Sequence, residues 1–168
     1  MACKLTYDKN ASQKLIRTLN QSKKNYNLIG RDIVDKNSEI YLKELKSEIE
    51  NQTPNWTPLN PAYKKRKAIL GLDERILIAT GEYLANIQVR HIETMNDKLS
   101  NHVGVDAKKK HSNSNLTMHE LAMIMEFGTS DGRIPARPLY MTAWRKVLPE
   151  IRRNTLEQAR LIYRLRSN

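Results

Sequence analysis

The chain has 168 residues, one domain's worth, and 39% of them are hydrophobic with a single Phe, so its core is expected to be aliphatic, filled out by Met and Tyr. Twenty-nine Lys and Arg stand against 18 Asp and Glu, a net charge of +11, which points to a polyanionic neighbour (nucleic acid, a membrane surface or acidic protein) without choosing among them. A lone cysteine, Cys3, excludes an internal disulfide, and no run approaches the ~18 apolar residues of a membrane span.

The N-terminus carries Lys4, Asp8 and Lys9 and lacks the apolar stretch of a signal peptide, so a soluble, cytoplasmically made chain is expected. Residues 11–50 read as helix. Leu15, Ile16 and Leu19 share one face, and Ile29, Ile33, Ile40, Leu42, Leu45 and Ile49 recur at mostly helical spacing. The polar run at 21–25 is a candidate break or bend. The helix should stop before Asn51-Gln52-Thr53-Pro54, because proline disfavours helical geometry in the residue before it. Residues 54–63 form a proline-punctuated loop anchored by Trp56 and Leu59. A short basic helix at 62–70 follows, with Pro61 near its first turn. Ala79-Thr80-Gly81 is a turn or a helix start.

The pattern then changes to strands. Ile87, Val89 and His91 alternate with Gln88, Arg90 and Ile92, and a second strand fits 99–105, with Asn96-Asp97 as the connecting turn. Residues 108–115 are a polar loop tip. Thr117 and Glu120 match a capping box, which predicts a helix from Met118 to about Glu126, ended by Gly128 at positive φ. Residues 139–148 are helical, Pro149 bends or restarts the helix, and it continues from Ile151 to about Leu165. The class is α+β: a small antiparallel sheet with long N- and C-terminal helices packed on it. The chain divides into an N-terminal helical region (1–53), an α+β core (54–148) and a basic C-terminal helix (149–168), all within one structural domain.

Catalytic chemistry is thinly represented. His119-Glu120 suggests a zinc-protease helix, but the second imidazole one turn on is replaced by Met123. His91, His102 and His111 have no Cys or His close in sequence, and no nucleophile elbow, P-loop or dinucleotide fingerprint occurs. Neither an enzyme nor a cofactor or metal is expected. Two basic clusters stand out. Lys64, Lys65, Arg66 and Lys67 could grip phosphates, with a solvated helix face as the plainer alternative. From Arg133 onward nine basic residues face only Glu150 and Glu157, with no interleaved aromatic series of the kind single-strand binders use.

The turn-rich stretch M-E-F-G-T-S-D-G-R-I-P-A-R-P at 125–138 concentrates rigid backbone between two helices. Glu126-Phe127-Gly128-Thr129, then Ile134-Pro135-Ala136-Arg137-Pro138-Leu139 and Ala143, resembles the E-F-G-T…I-P-A-R-P-F-L…A signature of tail-completion proteins of tailed bacteriophages, the group that includes Mu-like virion-morphogenesis proteins and lambda-like minor tail protein Z. Trp56-Thr57-Pro58-Leu59 with Tyr63 and Lys67 resembles the family's W-x-P-L…Y…K segment. Leu77, Thr80-Gly81, Leu84 and Ile87 resemble its L…T-G-x-L-x-x-S-I segment, and Val103-Gly104-Val105 its V-G strand. The matches run in order over about residues 54–145. Leu139, Asn86 and Met125 stand where the family often has Phe, Ser, and His or Gln, which leaves the subfamily open.

The resemblance implies a structural virion protein at the phage neck, a subunit of a hexameric ring that completes the tail and joins it to the head. The implied partners are further copies of the chain, the tail terminator or tail tube and the head connector or stopper. It also implies assembly in the bacterial host's cytoplasm. DNA in the lumen would be met non-specifically, and no membrane is involved. The expected subunit or partner contacts are Glu126, Phe127, Gly128, Thr129, Arg133, Ile134, Pro135, Arg137 and Pro138. Lys64, Lys65, Arg66, Lys67, Arg152, Arg153, Arg160 and Arg164 are assigned to the lumen or to acidic partners. Arg137 offers a planar group to a carboxylate or carbonyl. Phe127 and Ile134 are expected to pack into their own domain while the loop also serves subunit contact. The alternative from another class is a non-specific nucleic-acid-binding module that uses the same basic helices.

Overall fold

Helix α1 (Lys9–Asn51) is continuous over 43 residues. The run at 21–25 does not break it: Gln and Lys are good helix formers, and no Gly or Pro lies among them. The chain turns at Gln52, whose φ is +52°, and its side-chain amide pairs with the backbone of Ile76 on a distant loop. The computed structural model describes residues 9–93, 99–112 and 114–166. The Asn96-Asp97 turn and Cys3 lie outside the described residues.

Helix α2 (Pro61–Ile69) starts on the side chain of Asn60, which accepts from the Ala62 amide. A short helix, α3 (Glu82–Asn86), leads into β1 (Gln88–Glu93), which pairs antiparallel with β2 (Leu99–Gly104). Val89 faces Val103 and His91 faces Asn101. The strand expected to reach Val105 ends at Gly104. Helix α4 (Met118–Phe127) carries the capping box: Thr117 accepts from the Glu120 amide and Glu120 accepts from the Thr117 amide. Helix α5 (Tyr140–Arg166) runs through Pro149 as one element. Pro149 is exposed, so the Arg145 carbonyl it leaves unpaired can turn to water.

The result is an α+β fold, a two-stranded antiparallel sheet flanked by long N- and C-terminal helices. The hairpin is pinned to α1 by Asn101, which accepts from Arg31 at 3.0 Å and donates to Asp35 at 2.8 Å and Ser38 at 3.0 Å. A Cβ at Gly30 would meet the Leu99 Cδ1 at 2.7 Å, so any larger residue there requires the Leu99 side chain to shift. Asn37 bonds Asn154 and Thr155, while Lys146 reaches Glu44 and Glu48, so α5 runs antiparallel to α1. The core joins Leu45 and Ile49 of α1 to Trp56, Ile87, Met118 and Leu139, so segments far apart in the chain meet in it. Among the described residues no helix is long and apolar enough to cross a membrane.

Candidate functional site

The stretch at 125–138 folds into a loop held by its own backbone. Glu126, in the last turn of α4, aims its carboxylate at the start of α5 and accepts from the amides of Leu139 (2.7 Å), Tyr140 (3.0 Å) and Met141 (3.1 Å). Those amides have no partner within their own helix, and the N-terminal end of a helix dipole favours a negative charge. Gly128 leaves α4 at φ +77°, ψ −179°. A Cβ there would lie 2.9 Å from both the Ala136 nitrogen and the Ile134 oxygen, so only glycine fits. Thr129 donates its amide to the Ile134 carbonyl, and its hydroxyl accepts from the Ile134 amide, each at 3.0 Å. The Arg137 amide donates to the Met125 carbonyl at 2.7 Å, which closes the loop against α4.

The loop is also tied to the distant segment at 56–59. Arg137 is buried and its Nε donates to the Thr57 carbonyl at 3.2 Å. Burial pulls its pKa below the ordinary guanidinium value. The Trp56 indole donates to the Pro138 carbonyl at 3.1 Å.

Beside this loop lies a groove of about 380 Å³ between α4, the start of α5, β2 and α1. Tyr41 and Tyr140 form part of its wall. The Tyr41 hydroxyl donates to the Tyr140 carbonyl at 2.9 Å, and its ring meets Trp144 edge-on at 5.5 Å. Burial raises the pKa of both tyrosines, so both hydroxyls stay neutral. Four apolar side chains stand exposed along the groove: Met123 (46%), Phe127 (69%), Met141 (52%) and Trp144 (40%). An apolar surface of this kind suits contact with another macromolecule. No family model, no curated protein and no solved structure matches this chain.

The expected contact residues separate into two groups. Glu126, Gly128, Thr129 and Arg137 spend their polar groups inside the loop, and Ile134 and Pro135 are half-buried. Phe127, Arg133 and Pro138 face solvent, Arg133 paired with Asp131 at 3.1 Å. Phe127, expected both to pack into its own domain and to serve subunit contact, is the most exposed of the groove's large apolar side chains and does not enter the core. The final turn of α4 directs it away from the core, whose contribution from this helix is Met118 and Ala122.

Of the basic residues, Lys64, Lys65 and Arg66 are exposed, Lys64 3.4 Å from Glu74. Lys67 differs: it is buried, donates to the Arg75 carbonyl at 2.8 Å, and burial lowers its pKa. It serves the fold and cannot meet phosphate there. Arg152, Arg153 and Arg160 are exposed on α5; Arg164 lies in the last turns of that helix, where only the backbone is described. Met123, Met141 and Trp144 escaped the sequence reading because apolar residues at helical spacing look like core. Among the described residues no group of three or more His, Cys, Asp or Glu could hold a metal.

Proposed function

We propose that the protein is a structural virion component of a tailed bacteriophage. It is a ring subunit at the neck that completes the tail and joins it to the DNA-filled head, and it is assembled in the host bacterial cytoplasm. One observation carries the reading. The separated segments that resemble the tail-completion signature meet in space and bond to one another: Trp56 to Pro138, Arg137 to Thr57, and Glu126 to the start of α5. Residues matched only by their order along the chain thus form one rigid unit. That unit presents Phe127 and an apolar groove to solvent, as a subunit contact requires. The partners on this reading are further copies of the chain in a hexameric ring, the tail terminator or tail tube, and the head connector or stopper.

The test is electron microscopy of lysates from a phage whose copy of this gene carries a stop codon. Full heads beside separate, finished-looking tails are expected. Normal joined virions would sink the reading.

A second reading, non-specific attraction to nucleic acid, rests on α5. Arg145, Arg152, Arg153 and Arg160 are all exposed and recur at helical spacing along one face. Such a stripe neutralises phosphates without reading bases. As an independent function it requires tight binding to free duplex DNA with a steep salt slope, whereas a channel-lining stripe binds free DNA weakly.

A further inference from the structure

The N-terminal part of α1 and the groove beside Phe127 each expose apolar side chains to solvent. Residues 13–24 of α1 are all exposed, and Leu15 (59%), Ile16 (56%) and Leu19 (58%) form an apolar face on this arm. The arm lies beyond the end of α5. Asn37 sits opposite Thr155, and the eleven residues of α5 past that point reach back only to about residue 26 of α1 at 1.5 Å per residue.

Charge assigns the arm to the groove. Residues 9–31 hold Lys9, Lys14, Arg17, Lys23, Lys24 and Arg31 and no acidic residue, the longest acid-free run in the chain. Residues 111–132 hold Glu120, Glu126 and Asp131 and no Lys or Arg, the longest run free of both. That second run includes α4, which forms one wall of the groove. In a chain of net charge +11 the groove is lined by no Lys or Arg and by one carboxylate, Glu126, and a cationic apolar helix face complements it.

The arm cannot fill its own groove. Leu19 and Tyr41, which lines the groove, are on one unbroken helix and stand about 33 Å apart along it. The occupant must come from another molecule. We propose that the arm of one copy seats its Leu15–Ile16–Leu19 face in the groove of a second copy, against Met123, Phe127, Met141 and Trp144. This rests on the ring reading above in requiring copies to associate, and it names the surfaces that do so. The seven side chains present on the order of 700 Å² of apolar surface at each arm–groove contact, and a ring subunit makes two such contacts, one with its arm and one with its groove. An amphipathic helix in a methionine-lined groove is a common recognition mode.

The experiment has two parts. Sedimentation of the full chain is compared with that of Leu15→Asp/Leu19→Asp and of Met141→Asp. The wild type is expected to associate, and each variant to associate at least about tenfold more weakly. These side chains are exposed, so thermal unfolding of the dispersed monomers should be unchanged. Second, in a Cys3→Ser background, a Leu19→Cys chain is mixed with a separate Met141→Cys chain and treated with a short bismaleimide. A covalent dimer is expected, and none when Ile69→Cys, on exposed α2, replaces Met141→Cys. Oligomers that persist in both Asp variants, without the cross-link, would overturn the arm–groove pairing and leave the ring reading standing. A wild-type chain that stays monomeric would overturn both.

Discussion

Glu126 shows how one carboxylate can organise a junction. It ends α4, begins α5 and satisfies three amides that would otherwise compete for water. Glu126→Ala is expected to lower unfolding stability by about 1–2 kcal/mol, the usual cost of a lost helix cap, while Glu126→Gln keeps an acceptor and part of that contribution. Gly128→Ala is expected to cost more, about 3 kcal/mol, because a left-side φ and two backbone contacts at 2.9 Å oppose the added methyl. Denaturant titration measures both, and a Gly128→Ala protein of unchanged stability would contradict the geometry. Gly128 and the capping box were legible in the sequence because both are local. Arg137 was legible as a bonding group but not as a buried one, since its partner, the Thr57 carbonyl, lies 80 residues away.

At the scale of elements, the α1–α5 seam carries a charged clamp. Lys146 lies 2.5 Å from Glu44 and 2.8 Å from Glu48, whose side chain is almost fully enclosed. Burial pushes the Glu48 carboxyl up, but hydrogen bonds with Lys146, Glu44 and Thr53 outweigh it, leaving the group below its ordinary 4.5. A depressed folded-state value means the stabilisation is complete above about pH 4.5 and is lost as the pH falls below it. Lys146→Met leaves Glu48 enclosed without its cation. With Lys146 itself about half exposed, a loss of about 1–2 kcal/mol is expected at pH 7, shrinking as the pH drops below 4.5. Urea unfolding at several pH values checks it; a pH-independent difference would contradict the clamp. The helices themselves were readable from apolar period, and the hairpin from alternation. Continuity through residues 21–25 and through Pro149 was not, because solvent on the exposed side tolerates both a polar run and an unpaired carbonyl.

For the whole molecule, the informative features are those the core leaves outside. Exposed Phe127, Met141 and Trp144 follow the same helical spacing as buried Met118, Leu139 and Ala143, so only the assembled fold separates surface from core. The excess positive charge likewise divides by position: Lys67 is enclosed, Lys146 is clamped, and Arg152, Arg153 and Arg160 remain exposed. These surfaces fit a component that works by contact and field, in keeping with the proposed place between head and tail. The most direct measurement mixes a lysate lacking the protein, with its separate heads and tails, with the purified chain and counts infectious particles. The account predicts that infectivity rises with added protein and that joined virions appear in the microscope. Separate heads and tails that stay apart at every protein concentration would contradict it.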